Sequence, residues 1–255
     1  EYSGTKIAEK YIQEIFWRTY WKGWLEHKSD VYLDYINEKN KLFEEFKNKK
    51  YYLNAINGNT NLSFFNDWIK DLKENGYLHN HIRMWFASIW IFTLKLPWQL
   101  GADFFMQNLL DGDPASNTLS WRWSAGIHTK GKNYIARKSN IEKYSDIKLK
   151  PNENLLENEE PLIENKDYKI SNLKINNLSN ISDISYIIIP TDEINILKDL
   201  NIKKCNAFAG YPKEDYNDHN FDNKILDHIK NLMLSCYEDD NFYNKIEIET
   251  SFENY

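Results

Sequence analysis

Apolar residues recur at helical spacing through the first 145 residues of the chain. This pattern predicts helices over 7–27, 31–50, 63–75, 78–94 and 97–110. Residues 51–62 are rich in turn-forming residues, and Gly76 marks the end of the third predicted helix. Residues 78–94 are apolar on nearly all faces, which is typical of a helix in the middle of a domain. We therefore expect this part of the chain to be all-helical.

The pattern changes after residue 148. Residues 149–164 are acidic and contain two prolines, which predicts a linker. Beyond it, strand-like and helix-like segments alternate, which favours a small α/β unit with a parallel sheet. The predicted strands are 184–193, 203–210 and 245–250, and the predicted helices are 192–200 and 222–237. We expect a helical domain over 1–148, a linker over 149–164 and an α/β domain over 165–255.

Composition and charge divide the chain at nearly the same place. All nine tryptophans lie between Trp17 and Trp123. Residues 1–149 carry 21 Lys and Arg against 17 Asp and Glu, a net charge of +4. Residues 150–255 carry 11 against 21, a net charge of −10. The total of −6 therefore conceals a basic, aromatic half and an acidic half.

Several classes of protein are disfavoured by the same sequence. The longest apolar run, 84–94, is shorter than the roughly 20 residues that a membrane-spanning helix needs. Two cysteines are too few for a disulfide framework or a structural zinc site. His79 and His81 are two residues apart on different helix faces, so we expect no metal site. A cytoplasmic protein without a membrane span is the expectation.

One candidate site lies on the first helix. Glu14, Trp17, Arg18 and Trp21 are spaced i, i+3, i+4 and i+7, so they share one helical face. This face is either a Glu–Arg ion pair beside core tryptophans or part of a binding site.

A second candidate site lies on the apolar helix over 78–94. Asn80, Arg83 and Met84 form a stripe there, and buried polar groups need partners. The stripe predicts either an internal hydrogen-bond network or a bound polar molecule.

A third candidate site begins at the segment DGDP. Asp113 suits an N-cap and Pro114 suits the first helical position. Asp111, Asp113 and Asn117 could also bind a heteroaromatic ligand, because carboxylates and amides can pair with its polar edge. Capping explains Asp113 well and the other two poorly.

These three groups, in this order, resemble the FAD-binding domain of the photolyase/cryptochrome family. The resemblance covers about residues 7–145. It rests on EIFWR (14–18), GYLHNHIRM (76–84), LPWQLGADFFMQNLLDGDPASN (96–117) and WRW (121–123). It implies an all-helical photolyase-type FAD-binding domain. Together with the small α/β C-terminal domain that the sequence pattern predicts outside the family's common core, this gives a mainly α fold class.

The resemblance also implies a role for each residue of the three groups. At the cofactor, Arg83 and Asp111 would form a salt bridge beside the flavin ring. Asp113 would form a hydrogen bond with the imide edge of the ring, and Asn117 would face its N5 atom. Trp121 and Trp98 would be successive electron donors. At the substrate, Glu14 and Asn80 would contact the lesion, Met84 would pack on it, Trp17 and Trp123 would form the pocket walls, and Arg18 would help to hold the site.

The implied activity is light-driven repair of DNA. Reduced FAD would pass an electron to a cyclobutane pyrimidine dimer, whose bonds then split, so damaged DNA would be the partner. A cryptochrome-like blue-light receptor that signals through its tail is the alternative, and an inactive flavoprotein remnant is a third possibility. Asn117 favours repair, because plant-type receptors of this family usually carry Asp at that position.

The chain also departs from the family pattern. The antenna domain and the Ser/Thr-rich phosphate-binding segment that usually precede the EIFWR helix are absent. We therefore expect that an N-terminal part is missing and that no antenna chromophore is bound. The surface tryptophan of the usual electron relay has no counterpart near Glu45, and Tyr51 or Tyr52 would be its substitute.

Overall fold

The computed structural model describes residues 9–171, 186–189, 206–209, 223–225, 227–228 and 231. Backbone contacts divide the chain into two units, Glu1–Leu173 and Lys174–Tyr255.

The described part of the first unit is helical, as the sequence predicts. Its helices are α1 (Glu9–His27), α2 (Asp30–Phe46), α3 (Lys50–Ile56), α4 (Ser63–Asn75), α5 (Asn80–Ser88), α6 (Trp98–Asn108), α7 (Pro114–Ser124) and α8 (Lys138–Tyr144). A π-helical turn, Ile89–Thr93, continues α5. The turn-rich prediction for 51–62 was wrong where α3 forms, because burial of Tyr52 and Ala55 holds that short helix against the core.

Local signals set the helix ends that shape the site. Gly76 ends α4 in the left-handed conformation at φ +67, which favours glycine. Asp113 caps α7 by accepting a 2.8 Å hydrogen bond from the Ser116 backbone N–H, and Pro114 occupies the first turn. The predicted cap is therefore confirmed. It fixes where α7 begins relative to α6.

The core lies between α4, α5, α6 and α7. Trp85, Trp90, Trp121 and Phe86 are almost completely buried there. In the π-helical turn, the Trp90 indole N–H donates to the Pro97 carbonyl at 2.9 Å. Burial of each large side chain contributes on the order of 1.5–3 kcal/mol relative to exposure. The apolar stretch 78–94 is thus central, as its all-round apolarity predicts.

The segment predicted as a linker packs against the helices. The Glu153 carboxylate accepts two hydrogen bonds from Ser63, one from the backbone N–H and one from the hydroxyl, both at 2.5 Å. Glu164 forms a two-point ion pair with the buried Arg122 at 2.8 and 2.5 Å. Ser171 donates its backbone N–H to the His27 carbonyl at 2.8 Å. Some acidic side chains of 149–171 therefore form hydrogen bonds and ion pairs with the helices. The division of the chain into three regions stays a prediction.

Two short strands are described in the second unit. β1 (Tyr186–Ile189) pairs in parallel with β2 (Asn206–Ala209), with Tyr186 opposite Asn206. Residues 223–225, 227–228 and 231 are helical. The predicted helix over 192–200 and the predicted strand over 245–250 lie outside the described residues. A complete α/β domain stays a prediction.

Among the residues that the structure describes, none of the helices combines the length and apolarity needed to cross a bilayer.

Candidate functional site

A cavity of about 690 Å³ opens between α1, α5, α6 and α7. Pockets for small molecules and cofactors are typically about 300–1,000 Å³. Eleven of the twelve predicted site residues line this cavity: Glu14, Trp17, Arg18, Asn80, Arg83, Met84, Asp111, Asp113, Asn117, Trp121 and Trp123. The fold therefore brings together three groups that are far apart in the sequence. Their individual roles stay predictions.

The salt bridge between Arg83 and Asp111 is formed. Arg83 Nη2 lies 2.9 Å from both carboxylate oxygens of Asp111. Arg83 Nε also donates to the Leu78 carbonyl at 2.7 Å, and the guanidinium lies over the ring of Tyr77 at 5.3 Å. Arg83 thus has internal partners, yet it still lines the cavity together with Asn80 and Met84.

Asp113 has two kinds of partner. One carboxylate oxygen caps α7, as described above, while the other lies 3.7 Å from Arg18 Nη2 and 3.8 Å from Lys22 Nζ. The side chain is only 6% exposed. A carboxylate at a helix N-terminus is favoured by the helix dipole. Capping therefore uses one of the two carboxylate oxygens, and the two cations lie near the other.

The orientation of Asn117 is fixed by one hydrogen bond. Its amide nitrogen donates to the Ala102 carbonyl at 2.8 Å, and a carbonyl can only accept. The remaining hydrogen and the amide oxygen are the groups of this side chain that stay available for a ligand.

Trp121 stands one turn further along α7, nearly completely buried against Phe105 at a ring distance of 5.1 Å. The Trp121 ring packs directly on Gly101, where there is no room for a larger residue. A Cβ added at Gly101 would lie 2.3 Å from the Trp121 ring and 2.9 Å from Trp90 Nε1.

Three cavity-lining residues carry a buried polar atom that has no hydrogen-bond partner within the described structure. These atoms are Ser116 Oγ, Trp121 Nε1 and His128 Nδ1. An unpaired buried donor costs about 1–3 kcal/mol. A polar ligand in the cavity could offset that cost.

The α1 wall is exposed, unlike the wall formed by α7. Trp17 is 55% exposed and stacks on Trp21 at 5.9 Å. Arg18 pairs with Asp113 and makes no ion pair with Glu14 among the described residues. The structure therefore disfavours the interpretation of this face as a Glu–Arg pair beside core tryptophans. Across the cavity, Trp123 stacks on Tyr134 at 5.7 Å.

Trp98 is the predicted site residue that does not line the cavity. It is 5% exposed and stacks on Tyr35 at 5.4 Å, while the Arg122 guanidinium lies 5.7 Å from its ring centroid. Its predicted place next to Trp121 in an electron relay stays untested.

His128 is a cavity residue that the sequence did not reveal as part of this group. Its ring lies 4.8 Å from the rings of both Trp21 and Trp24. Burial lowers the pKa of His128 to about 4, and the charges of Arg122 and Lys28 add to this effect. The ring is therefore neutral at pH 7. No spacing rule links residue 128 to residues on α1, so only the tertiary structure could place it here.

Comparison with known proteins points to the same family as the sequence motifs of the three residue groups. Residues 11–152 match the family model described as the FAD binding domain of DNA photolyase. A deoxyribodipyrimidine photo-lyase of Buchnera aphidicola subsp. Baizongia pistaciae is 31% identical over 137 residues, which are 51% of this chain and 28% of that protein. The photo-lyase of Vibrio cholerae is 28% identical over 130 residues, which are 50% of this chain and 28% of the relative.

A cryptochrome DASH of Idiomarina loihiensis is 35% identical over 89 residues, which are 35% of this chain and 19% of that protein. The chain thus spans less than a third of the length of these curated relatives. The family model nevertheless matches more than half of the chain, and its match includes all the cavity-lining groups. The chain belongs to the photolyase/cryptochrome family and carries the FAD-binding domain of DNA photolyase.

Proposed function

We propose that this chain binds FAD and acts in the light-driven repair of cyclobutane pyrimidine dimers in DNA. One observation carries the proposal. A single cavity gathers eleven of the twelve residues that the family resemblance assigns to the cofactor and to the lesion, all except Trp98. Family membership and relatives named deoxyribodipyrimidine photo-lyase support it.

The donor set of the cavity fits a flavin. Asp113 supplies a carboxylate for an imide N–H, and Asn117 supplies an oriented amide. The unpaired N–H of Trp121 and hydroxyl of Ser116 suit polar ring atoms. Arg18 and Arg83 line the cavity, where they pair with Asp113 and Asp111. Reduced FAD, when bound, would supply light absorption and one transferable electron.

The exposed side of the cavity fits a flipped-out lesion. Trp17 and Trp123 offer ring faces, and base–aromatic stacking is worth about 1–3 kcal/mol per base. Met84 adds an apolar contact, while Glu14 and Asn80 offer hydrogen-bonding groups to the polar edges of the dimer. Flipping is cheapest for a damaged, poorly stacked base. The basic half of the chain would contact the phosphate backbone.

Repair can be measured directly with the full chain. The protein is loaded with FAD, reduced, mixed with an oligonucleotide that carries one pyrimidine dimer, and illuminated with blue light. We expect light-dependent loss of the dimer and none in the dark. An FAD-loaded, reduced protein that removes no dimer from single-stranded or double-stranded DNA would refute the repair activity.

Glu14→Ala tests the lesion side of the site. We expect slower repair with unchanged FAD content, because Glu14 lines the cavity among the residues assigned to the lesion. Gln13→Ala is the matched control, since Gln13 is exposed on the same helix and does not line the cavity. Equal repair rates for the two variants would contradict the role of Glu14.

A blue-light receptor is the second candidate, because one relative is a cryptochrome DASH at 35% identity. A receptor would show light-driven changes in flavin absorbance without loss of the dimer. The repair assay therefore distinguishes the two functions in one sample, if flavin absorbance is recorded beside dimer content.

A further inference from the structure

The chain returns to the end of α7 beyond the region that matches the family model. That match ends at residue 152. Residues 159–164, called the strap below, contact residues 125–133, the rim turn, which directly follows α7. Two residues of the rim turn, His128 and Thr129, line the cavity. The strap therefore contacts one edge of the site without lining the cavity itself.

Backbone contacts join the strap to the start of the rim turn. The Leu162 backbone N–H donates to the Ala125 carbonyl at 2.9 Å. A Cβ added at Gly126 would lie 2.6 Å from the Cβ of Pro161. The strap thus lies directly on the backbone of the turn, and a displacement of one requires a displacement of the other.

The far end of the rim turn is attached in the same way. The Asn133 side-chain amide donates to the Glu159 carbonyl at 2.8 Å. The next residue, Tyr134, stacks on Trp123 at a ring distance of 5.7 Å. This attachment of the strap is therefore adjacent to the ring that supports one predicted wall of the lesion pocket.

An ion pair holds the strap to α7 itself. The Glu164 carboxylate accepts hydrogen bonds from both terminal nitrogens of Arg122, whose side chain is only 5% exposed. Loss of the Glu164 charge would leave a buried cation without the carboxylate that pairs with it. The Arg122 carbonyl accepts the backbone N–H groups of Ile127 and His128 at 2.9 and 3.2 Å. Arg122 thus links the strap to the backbone that carries His128.

His128 lies on the side of the cavity that is assigned to the lesion. Its ring lies 4.8 Å from the Trp21 ring and 6.5 Å from the Tyr20 ring, and all three residues line the cavity. The residues assigned to the imide edge and N5 of the flavin, Asp113 and Asn117, lie at the opposite end of α7. A displacement of the rim turn would therefore change the lesion side more than the flavin side.

We propose that the strap positions the rim turn for binding of the lesion, and that Glu164, acting through Arg122, is its main positioning residue. This rests on the proposed function, since the ligand is a pyrimidine dimer flipped out of DNA. With the turn held, His128 and Thr129 offer polar groups to the edge of the dimer, and Trp123 keeps its stacking face in place. Holding these groups before binding reduces the entropy lost on binding. The strap therefore acts on affinity for the lesion and not on the light-driven step.

Glu164→Gln in the FAD-loaded full chain tests the positioning role, because it removes the charge and keeps the size of the side chain. We expect the concentration of dimer-containing DNA at half-maximal repair to rise about tenfold. FAD content, the flavin spectrum and the repair rate at saturating DNA should not change. Fluorescence anisotropy in the dark should show the same loss of affinity for a dimer-containing oligonucleotide, with unchanged affinity for intact DNA.

Two further variants separate positioning from stability. Glu157→Gln is the matched control, because the Glu157 carboxylate accepts the Lys138 backbone N–H and Lys138 does not line the described cavity. Glu153→Gln disturbs the buried carboxylate that holds Ser63, so we expect a lower melting temperature with wild-type affinity for the lesion. A loss of lesion affinity in Glu164→Gln alone supports the proposal.

Asn133→Ala is the milder test of the strap. It removes only the side-chain hydrogen bond to the Glu159 carbonyl, and we expect about threefold weaker binding of the dimer. If Glu164→Gln does not fold, this variant decides the question. Wild-type lesion affinity in folded Asn133→Ala would then overturn the proposal.

Other results would also overturn it. These are wild-type lesion affinity in folded Glu164→Gln, an equal loss of affinity in Glu153→Gln, and loss of FAD from Glu164→Gln with unchanged lesion affinity. A wild-type chain that binds the dimer but repairs none would refute the proposed function alone, because the affinities measured in the dark still decide the role of the strap. A wild-type chain that binds dimer-containing DNA no more tightly than intact DNA would refute the role of the strap.

Discussion

The two walls of the cavity differ in how far their side chains are buried. On α1, Trp17 is 55% exposed and Tyr20 is 47% exposed. On α7, Trp121 is 2% exposed and Asn117 is 9% exposed. The first wall presents large apolar surface to solvent, whereas the second is part of the core. An exposed apolar patch usually marks a surface that binds something.

The difference separates two ways of contributing to the site. Residues of the α7 wall are held by packing, capping and hydrogen bonds, so their positions are set before any ligand binds. On the α1 wall, Trp17 and Tyr20 are about half exposed, so they contribute little to the core. Changes on α7 should therefore act on stability and cofactor binding together, whereas changes on α1 should act mainly on DNA binding.

The largest expected effect comes from crowding the buried wall. Gly101→Ala would place a methyl group 2.3 Å from the Trp121 ring. Overpacking of this kind costs about 1–3 kcal/mol, and we expect lower thermal stability together with reduced FAD content.

Gly23→Ala on α1 is the control, since a Cβ there meets nothing within 4 Å. It should stabilise the protein by about 0.5–1 kcal/mol through helix propensity. Thermal melts of both apoproteins and their flavin absorbance provide the measurement. Equal melting temperatures would show that the buried wall is not tightly packed.

The next largest effect concerns the exposed wall. Trp17→Ala removes a stacking face, so we expect about tenfold weaker binding of dimer-containing DNA and a melting temperature close to that of the wild type. Phe16→Ala is the comparison, because Phe16 is also exposed on α1 but does not line the cavity. Fluorescence anisotropy with labelled DNA measures the affinity. A large loss of stability in Trp17→Ala would remove the distinction between the two walls.

The smallest expected effect is that of replacing His128, whose ring contacts Trp21 and Trp24 of α1. Its folded-state pKa of about 4 is below the ordinary value of 6.5, so the unfolded chain binds a proton more readily. The protein should therefore lose stability as the pH falls from about 6.5 towards 4. His128→Gln should flatten this part of the curve of unfolding free energy against pH. Parallel curves for wild type and variant in denaturant titrations would contradict the assignment.

Sequence patterns predicted the features that depend on nearby residues. The cap at Asp113 and the end of α4 at Gly76 follow from side-chain chemistry within one turn. Grouping of the candidate residues came from the family resemblance, because helical periodicity does not say which helices meet. The partner of Glu153 could not be found in this way, since Ser63 is 90 positions away. His128 was missed for the same reason.

The return of residues 149–171 to the first helices has a consequence for how the unit assembles. Ser171 contacts His27 across 144 positions, and Lys166 contacts Glu38 across 128. Contacts between distant parts of a chain slow folding, because a long loop must close before they form. On a ribosome, these contacts can form only after residue 171 has left the exit tunnel, so α1 is made before the other described helices but acquires these neighbours later than they do.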